Sequence, residues 1–151
     1  MDKYKVLGRV YRDATPNVVI YKVPLPTNFE VADAGPRTDA TVLYTIISSI
    51  VVCNHSATES DFSIAVREDD SLAATSATTE DYIFKTTPIA ANNTIIINPG
   101  ITLPAIPTGT DGENGADIIV AATDGEISFH VYGVEVTQWE VWYESIRLEQ
   151  V

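Results

Sequence analysis

The sequence predicts an all-β fold, an antiparallel β-sandwich of jelly-roll-like form, and three observations lead to this prediction. Apolar and polar residues alternate with a period of two along most of the chain, and β-branched residues dominate these stretches. Glycine, proline and asparagine separate the stretches at short intervals, as turn-forming residues do. No convincing helical periodicity precedes the last fifteen or so residues. Many short strands joined by such turns are typical of sandwiches and jelly rolls.

The first third of the chain predicts two strands, a long loop and a longer strand. Residues 4–11, YKVLGRVY, and 17–24, NVVIYKVP, have strand character and are joined by a turn. Residues 25–38, LPTNFEVADAGPRT, carry two prolines and a glycine, which indicates a long loop. Residues 40–54, ATVLYTIISSIVVCN, are so rich in isoleucine and valine that we expect a central strand covered on both faces.

After a polar turn, the strand that begins at Asp61 directs Phe62, Ile64 and Val66 inward and Arg67 outward. We expect the charges at the end of this strand to be solvated, as such charges usually are.

A small, polar loop follows, and then DYIFKTTPIA and NNTIIINPGITL form two strands separated by a short turn. Residues 104–115, PAIPTGTDGENG, predict a second long loop. The segments ADIIVAA and EISFHVYGVEV then predict a hairpin, because Asp124-Gly125 between them is a strong hairpin signal.

Residues 1–136 therefore form the predicted sandwich domain, and residues 137–151 a C-terminal extension. Its sequence, TQWEVWYESIRLEQV, fits two conformations. Trp139, Val141 and Tyr143 would share one face of a strand, whereas a helical stripe would run through Trp139, Trp142, Tyr143 and Ile146. We expect an extended arm. Aromatic anchors of this kind often dock on a neighbouring protein.

Composition excludes several classes of partner. The chain has 21 acidic and 9 basic residues, a net charge of −12, so it lacks the basic surface that nucleic-acid binding requires. No apolar run approaches the roughly 20 residues that span a bilayer. The N-terminus lacks the apolar core of a signal peptide, and a single cysteine suits a reducing cytosol.

Candidate chemistry is sparse. Cys53 and His55 are the most suggestive pair, but His130 is the only other histidine and there is no second cysteine, so zinc ligands are lacking. No accompanying motif supplies the orienting group and oxyanion site of a nucleophilic enzyme. DGENG fits a solvated turn better than a calcium loop, and Glu80-Asp81 fits solvated charges better than a catalytic carboxylate pair. We expect no catalytic residue, no metal and no cofactor.

Four blocks of the sequence carry a resemblance to a known family. They are VIYKVP, TIISSIVVCNHSATESDFSIAVR, DYIFKTTPIAANNTIIINPGITL and DIIVAATDGEISFHVYGVEV, in this order over roughly residues 18–136. The chain resembles small β-domain structural proteins of tailed bacteriophages, those of cyanophages and marine phages in particular. The resemblance implies a non-enzymatic β-sandwich subunit that is made in the host bacterial cytoplasm and assembled into the virion. It supplies no catalytic residues, and it places Cys53 simply at the end of a strand.

The resemblance also implies partners. A homo-oligomer is expected, a trimer by analogy, together with other virion proteins of the tail, baseplate or fibre attachment, or of the capsid as a decoration protein. Residues 25–38, 104–115 and the tail from Thr137 depart from the family pattern. Because partner contacts concentrate on loops, we expect these additions to dock the subunit. The predicted partner-binding residues are Phe29, Ile106, Trp139, Trp142, Tyr143 and Ile146.

Two other functions remain open at this stage. A carbohydrate-binding module for receptor recognition is compatible with a β-sandwich that exposes tyrosine and tryptophan. It predicts a glycan affinity that is lost when Trp139 or Trp142 is mutated. A small hydrolase would instead lose its activity on Cys53→Ser or Glu80→Gln while assembly continued.

Overall fold

A computed structural model describes residues 4–12, 15–24, 41–67, 77–105, 115–123 and 126–138. These residues form two antiparallel sheets packed face to face, which confirms the predicted all-β sandwich. The strands are β1 (Tyr4–Arg12), β2 (Thr15–Lys22), β3 (Thr41–Asn54), β4 (Ser60–Arg67), β5 (Tyr82–Ile89), β6 (Thr94–Ile97), β7 (Ile101–Pro104), β8 (Asp117–Ala122) and β9 (Ile127–Gln138).

The strand order is that of a jelly roll. One sheet has the order β1-β9-β3-β6, with β7 also paired to β3 further along, so that β6 and β7 share one edge. The other sheet has the order β2-β8-β4-β5. The strand pairs are nested along the chain: β1 pairs with β9, β2 with β8, β3 with β6 and β7, and β4 with β5. A ribbon of nested antiparallel pairs wrapped into two sheets is the jelly-roll arrangement.

The predicted hairpin of β8 and β9 is wrong, because the two strands lie in different sheets. β8 pairs with β2 and β4, whereas β9 pairs with β1 and β3. The connections from β1 to β2 and from β5 to β6 likewise cross between the sheets. Each of these strands has an apolar inner face, which the observed arrangement buries between the two sheets.

The core lies between the sheets and follows the period-two alternation. Phe62, Ile64 and Val66 of β4 face inward as predicted, and Phe62 packs against Phe84 and Phe129 with ring centroids 5.9 and 6.4 Å apart. Ile118 and Val120 of β8 pair with inward residues of the neighbouring strands. Full burial of each large aliphatic or aromatic side chain stabilises the fold by about 1.5–3 kcal/mol.

The expected coverage of β3 on both faces is wrong for the isolated chain. Thr45, Ile47 and Ile50 are buried between the sheets, but Tyr44 and Ile46 on the opposite face are exposed. The strand covered on both faces is instead β8, whose outward Asp117 and Ile119 are as buried as its inward residues. Burial also extends to Arg67, which was expected to be solvated and is 2% exposed.

Two glycines allow close approach of backbones. A Cβ on Gly8 would lie 2.2 Å from the carbonyl oxygen of Ile20, where β1 and β2 meet across the sandwich. A Cβ on Gly133 would lie 2.1 Å from the carbonyl oxygen of Ile46. Any side chain at either position would force the strands apart, so glycine is required for steric reasons.

Several predicted boundaries are changed or lie outside the described residues. β9 continues to Gln138, two residues beyond the predicted domain end, and a 3-10 helix, Thr79–Asp81, precedes β5. The loop at 25–38, most of the loop at 104–115 and the extension from residue 139 lie outside the described residues.

Candidate functional site

The outward side of the five-stranded sheet is the most distinctive surface among the described residues. Eight large apolar side chains of the described strands are exposed. Seven belong to the five-stranded sheet, and only Ile83, on β5, belongs to the four-stranded sheet. The remaining seven are Tyr4, Val6, Tyr11, Leu43, Tyr44, Ile46 and Ile96. We call this surface the open face and define it by these seven residues with Arg9, His130 and Tyr132. Scattered exposed apolar residues are ordinary, but a contiguous set on one sheet marks an interaction site.

The open face is built by the strand alternation that builds the core. Val6 lies opposite Tyr132 on the neighbouring strand, Arg9 lies opposite His130, and Ile96 lies opposite Val51. Each of these residues is next to one that points between the sheets. The outward positions of β1, β3, β6 and β9 therefore form continuous rows across the sheet.

Aromatic rings order part of this face before anything binds. The rings of Tyr4 and Tyr132 are 6.4 Å apart between centroids and 10° from parallel, and those of His130 and Tyr132 are 6.4 Å apart and 11° from parallel. At one end of the sheet, Tyr11 contacts the ring of His55 at 5.8 Å. Rigid aromatic side chains lose little conformational entropy when a partner covers them.

The open face has no carboxylate among its described residues. The strands of its sheet contain a single acidic residue, Glu135, so all but one of the chain's 21 acids lie outside them. Glu135 does not point outward. Its carboxylate pairs with the ammonium of Lys5 and accepts a 3.0 Å hydrogen bond from the hydroxyl of Tyr21 on the other sheet.

This polar contact joins the two sheets. Because the single proton of the Tyr21 hydroxyl is donated to Glu135, the Thr45 hydroxyl donates to the Tyr21 oxygen, 2.8 Å away. Burial raises the pKa of the Tyr21 hydroxyl well above its usual value. The hydrogen bond with Thr45 opposes this rise, and the charge and hydrogen bond of Glu135 add to it. The cluster fixes the two sheets relative to each other and has the features of a structural contact.

Cys53 and His55 lie where β3 ends, as expected. The hydroxyl of Thr94 donates to the Cys53 sulfur at 3.1 Å, and Cys53 lies opposite Ser128. Nε2 of the exposed His55 is 2.9 Å from the buried Ser128 hydroxyl. No carboxylate contact to the His55 ring is recorded within the described part of the chain, so the orienting third group of a nucleophilic site is not found there. In the same residues, no group of three or more potential ligands has metal-site geometry.

The outward side of the four-stranded sheet is different. Arg67 and Asp117 are opposite each other on β4 and β8 and form a two-pronged ion pair, with Nε to Oδ1 at 2.9 Å and Nη2 to Oδ2 at 2.5 Å. Next to them, Ala65 lies opposite Ile119. All four residues are at most 2% exposed. We call these four residues the covered face.

The six predicted partner-binding residues lie outside the described residues, so their role stays a prediction. They are Phe29, Ile106, Trp139, Trp142, Tyr143 and Ile146. In the pair Glu80-Asp81, Asp81 caps the 3-10 helix. Its carboxylate accepts hydrogen bonds from the backbone N–H and the hydroxyl of Thr78 at 2.7 and 3.0 Å. Glu80 is exposed beside it.

Sequence reasoning missed a buried polar residue at the turn after β3. The Asn54 amide nitrogen donates to the carbonyl oxygens of Thr58, Ile89 and Ala90 at 2.8–3.3 Å, and its oxygen accepts from the Ser56 backbone. This side chain ties together the β3–β4 and β5–β6 connections. Asparagine two residues before serine is a common turn-closing pattern, and this signal was available in the sequence.

Comparison with known proteins gives no relative from which to transfer a role. No model of a known protein family matches the chain, and no curated protein or solved structure matches it either. Among the described residues, no helix is long and apolar enough to cross a membrane.

Proposed function

We propose that the chain is a non-enzymatic structural subunit of a tailed-bacteriophage particle, which acts by binding other protein subunits. The observation that carries this proposal is the open face, where seven exposed large apolar residues share one sheet. A protein that works alone in water gains nothing from exposing such a surface, whereas a subunit that is covered on assembly does. The resemblance of the four strand blocks to phage structural proteins supports the same proposal.

The fold is compatible with this role. Jelly rolls form the subunits of many viral capsids, although the fold by itself hosts many functions and supports only an analogy. The net charge of −12 opposes contact between surfaces that carry carboxylates and favours contact through surfaces that lack them. Tail, baseplate, fibre attachment and capsid decoration are all locations in which such a subunit would serve.

The experiment is to find the chain in purified particles of the phage that encodes it. Mass spectrometry of particles washed at high salt should recover its peptides at a constant ratio to the major capsid protein. Antibody labelling under the electron microscope then distinguishes head from tail. Absence from purified particles, in lysates where the chain is expressed, would contradict the proposal.

A test of the C-terminal extension leaves the open-face residues unchanged. A chain that lacks residues 138–151 should fail to enter particles if the extension docks the subunit as predicted. The matched control is the full-length chain supplied in the same way. Normal incorporation of the shortened chain would remove the extension from the proposal and leave the open face as the contact.

A second candidate function is glycan binding, favoured by the row of Tyr4, Tyr132 and His130 on the open face. A tyrosine ring combines a large apolar face with a polar hydroxyl, which suits contact with a sugar ring. It predicts saturable binding on a panel of bacterial surface glycans, lost on Tyr132→Ala and kept on Tyr82→Ala of the other sheet. The absence of binding across such a panel, with a correctly folded chain, would dismiss this candidate.

A further inference from the structure

We infer that the open face binds a second copy of this chain, so that two copies pack open face to open face about a two-fold axis. The inference rests on the proposed function, because a structural subunit must be covered by protein, and it names the first partner and the surface. It concerns the described strands and is independent of the C-terminal extension.

The pattern of β3 supplies the first argument. Its sequence is apolar on both faces, a composition that is typical of strands buried on both sides. The folded chain covers only the side that carries Ile47 and Ile50, and it leaves Tyr44 and Ile46 exposed. A second copy laid on the open face buries the other side and completes the environment that the sequence specifies.

The size of the face fits such a pair. β9, with its 12 residues paired along β3, makes the sheet roughly 40 Å long at about 3.3 Å per residue. The four strand positions, about 4.8 Å apart, give a width of roughly 15–20 Å. The product is on the order of 700 Å², close to the roughly 800 Å² that each partner buries in a stable interface of standard size.

The distribution of charge allows a copy of the same chain to occupy this face, whereas it opposes contact between acidic surfaces. Two chains of net charge −12 repel, and any contact that opposes their carboxylates costs further energy. The open face is free of carboxylates among the described residues, since Glu135 of its sheet points toward Tyr21. Packing this face against itself therefore opposes no acids. Its one permanent charge, Arg9, lies on β1 and not on the central strands β3 and β9.

A two-fold arrangement follows from covering both faces at once. A head-to-tail contact would place the open face of one copy on another surface of the next and leave an open face uncovered unless a ring closes. The covered face offers no alternative, because Ala65, Arg67, Asp117 and Ile119 are already buried within the chain. Open face against open face leaves neither exposed.

The experiment measures the mass of the full chain in solution by sedimentation equilibrium over about 1 to 200 µM, a range in which pairs with dissociation constants up to the micromolar range are populated. The wild type should approach twice the 16.4 kDa chain mass. Ile46→Glu places a carboxylate in the middle of the open face, and Ile83→Glu is the matched control on β5. The two isoleucines are similarly exposed, at 38% and 41%. Ile96→Glu, at 64% exposed on β6, is a second open-face variant in case Ile46→Glu does not fold.

The expected result is that Ile46→Glu and Ile96→Glu weaken self-association by at least about 30-fold, as a buried unpaired charge in an interface does. Ile83→Glu should match the wild type, and circular dichroism should be the same for all four chains. A monomeric wild type at the highest concentration overturns the inference, as does a trimer or equal effects of Ile46→Glu and Ile83→Glu. A monomer that associates only after residues 139–151 are removed also overturns it, since the chain would then cover its own face.

The two proposals fail separately. If particles contain the chain but the wild type is monomeric, the pair is wrong and the structural role stands. If the wild type forms the pair and Ile46→Glu breaks it, but the particles lack the chain, the pair stands and the structural role is wrong.

Discussion

The two sheets of this sandwich both bury an apolar inner face, but they differ in how exposed their outer faces are. On the four-stranded sheet the outward Ile119 is 1% exposed, and an ion pair beside it is equally buried. On the five-stranded sheet the outward Ile96 is 64% exposed, and six other large apolar side chains accompany it. One face is covered within the chain, and the other is exposed, as a surface that binds a second copy would be under our inference. The difference separates outward side chains that are buried in the monomer from outward side chains that remain exposed.

The largest expected effect concerns the ion pair of the covered face. Asp117→Ala leaves the Arg67 guanidinium buried without its carboxylate, and we expect a loss of about 3–5 kcal/mol in the free energy of unfolding. Urea unfolding at a concentration where the chain is monomeric measures it. The exposed Glu126→Ala is the control, with a change of no more than about 0.5 kcal/mol. A loss below about 1 kcal/mol for Asp117→Ala would mean that water or other groups compensate the guanidinium.

The next comparison removes the same side chain from each outer face. Ile119→Ala should cost about 2–4 kcal/mol, because the truncated side chain leaves a cavity in a covered site. Ile96→Ala should change the stability of the monomer by less than about 0.5 kcal/mol, because water already contacts that side chain. Both are measured by urea unfolding in the Ile46→Glu background, which holds the chain monomeric under our inference. Equal losses at the two positions would abolish the distinction between the faces.

The smallest effect tests the contact that joins the sheets. Tyr21→Phe removes the hydroxyl between Thr45 and Glu135 and should cost about 1–2 kcal/mol at neutral pH. The folded-state pKa of Tyr21 is raised, so the folded protein keeps a proton that the unfolded chain loses above about pH 10. Stability should therefore be fully present below pH 10 and fall above it, by at most about 1.4 kcal/mol per pH unit from this group.

Chemical unfolding at several pH values between 8 and 11 checks this pH dependence. Tyr21→Phe should remove most of the alkaline loss, whereas Tyr4→Phe on the open face should retain it, because Tyr21 is still present. An alkaline loss of the same size in Tyr21→Phe and the wild type would show that other groups cause it.

The fold class and the strand positions could be predicted from the sequence because they depend on local alternation. The strand pairing could not. Asp124-Gly125 has the composition of a hairpin turn, yet β8 and β9 separate to pair with strands far away along the chain. Nested pairing is decided by the packing of whole sheets, which a local pattern does not encode.

The outer faces were predictable only in part. The apolar character of both sides of β3 was visible, but it does not say whether the chain or a partner covers the second side. Arg67 at the end of β4 has the pattern of a solvated charge, and its burial depends on Asp117, fifty residues away. Glu135 is four residues after the inward Val131, so strand alternation places it on the inner face. The absence of acids on the outer side of β9 could therefore be predicted from the sequence.

The most direct test of the account is hydroxyl-radical footprinting of the wild type at two concentrations, one below and one above the dissociation constant of the pair. Oxidation of Tyr4, Tyr132 and Ile96 should fall several-fold at the higher concentration as their accessible area is lost, while oxidation of Ile83 stays constant. Unchanged oxidation of the open face, or protection of Ile83 alone, would contradict the claim that this sheet is the surface through which the chain assembles.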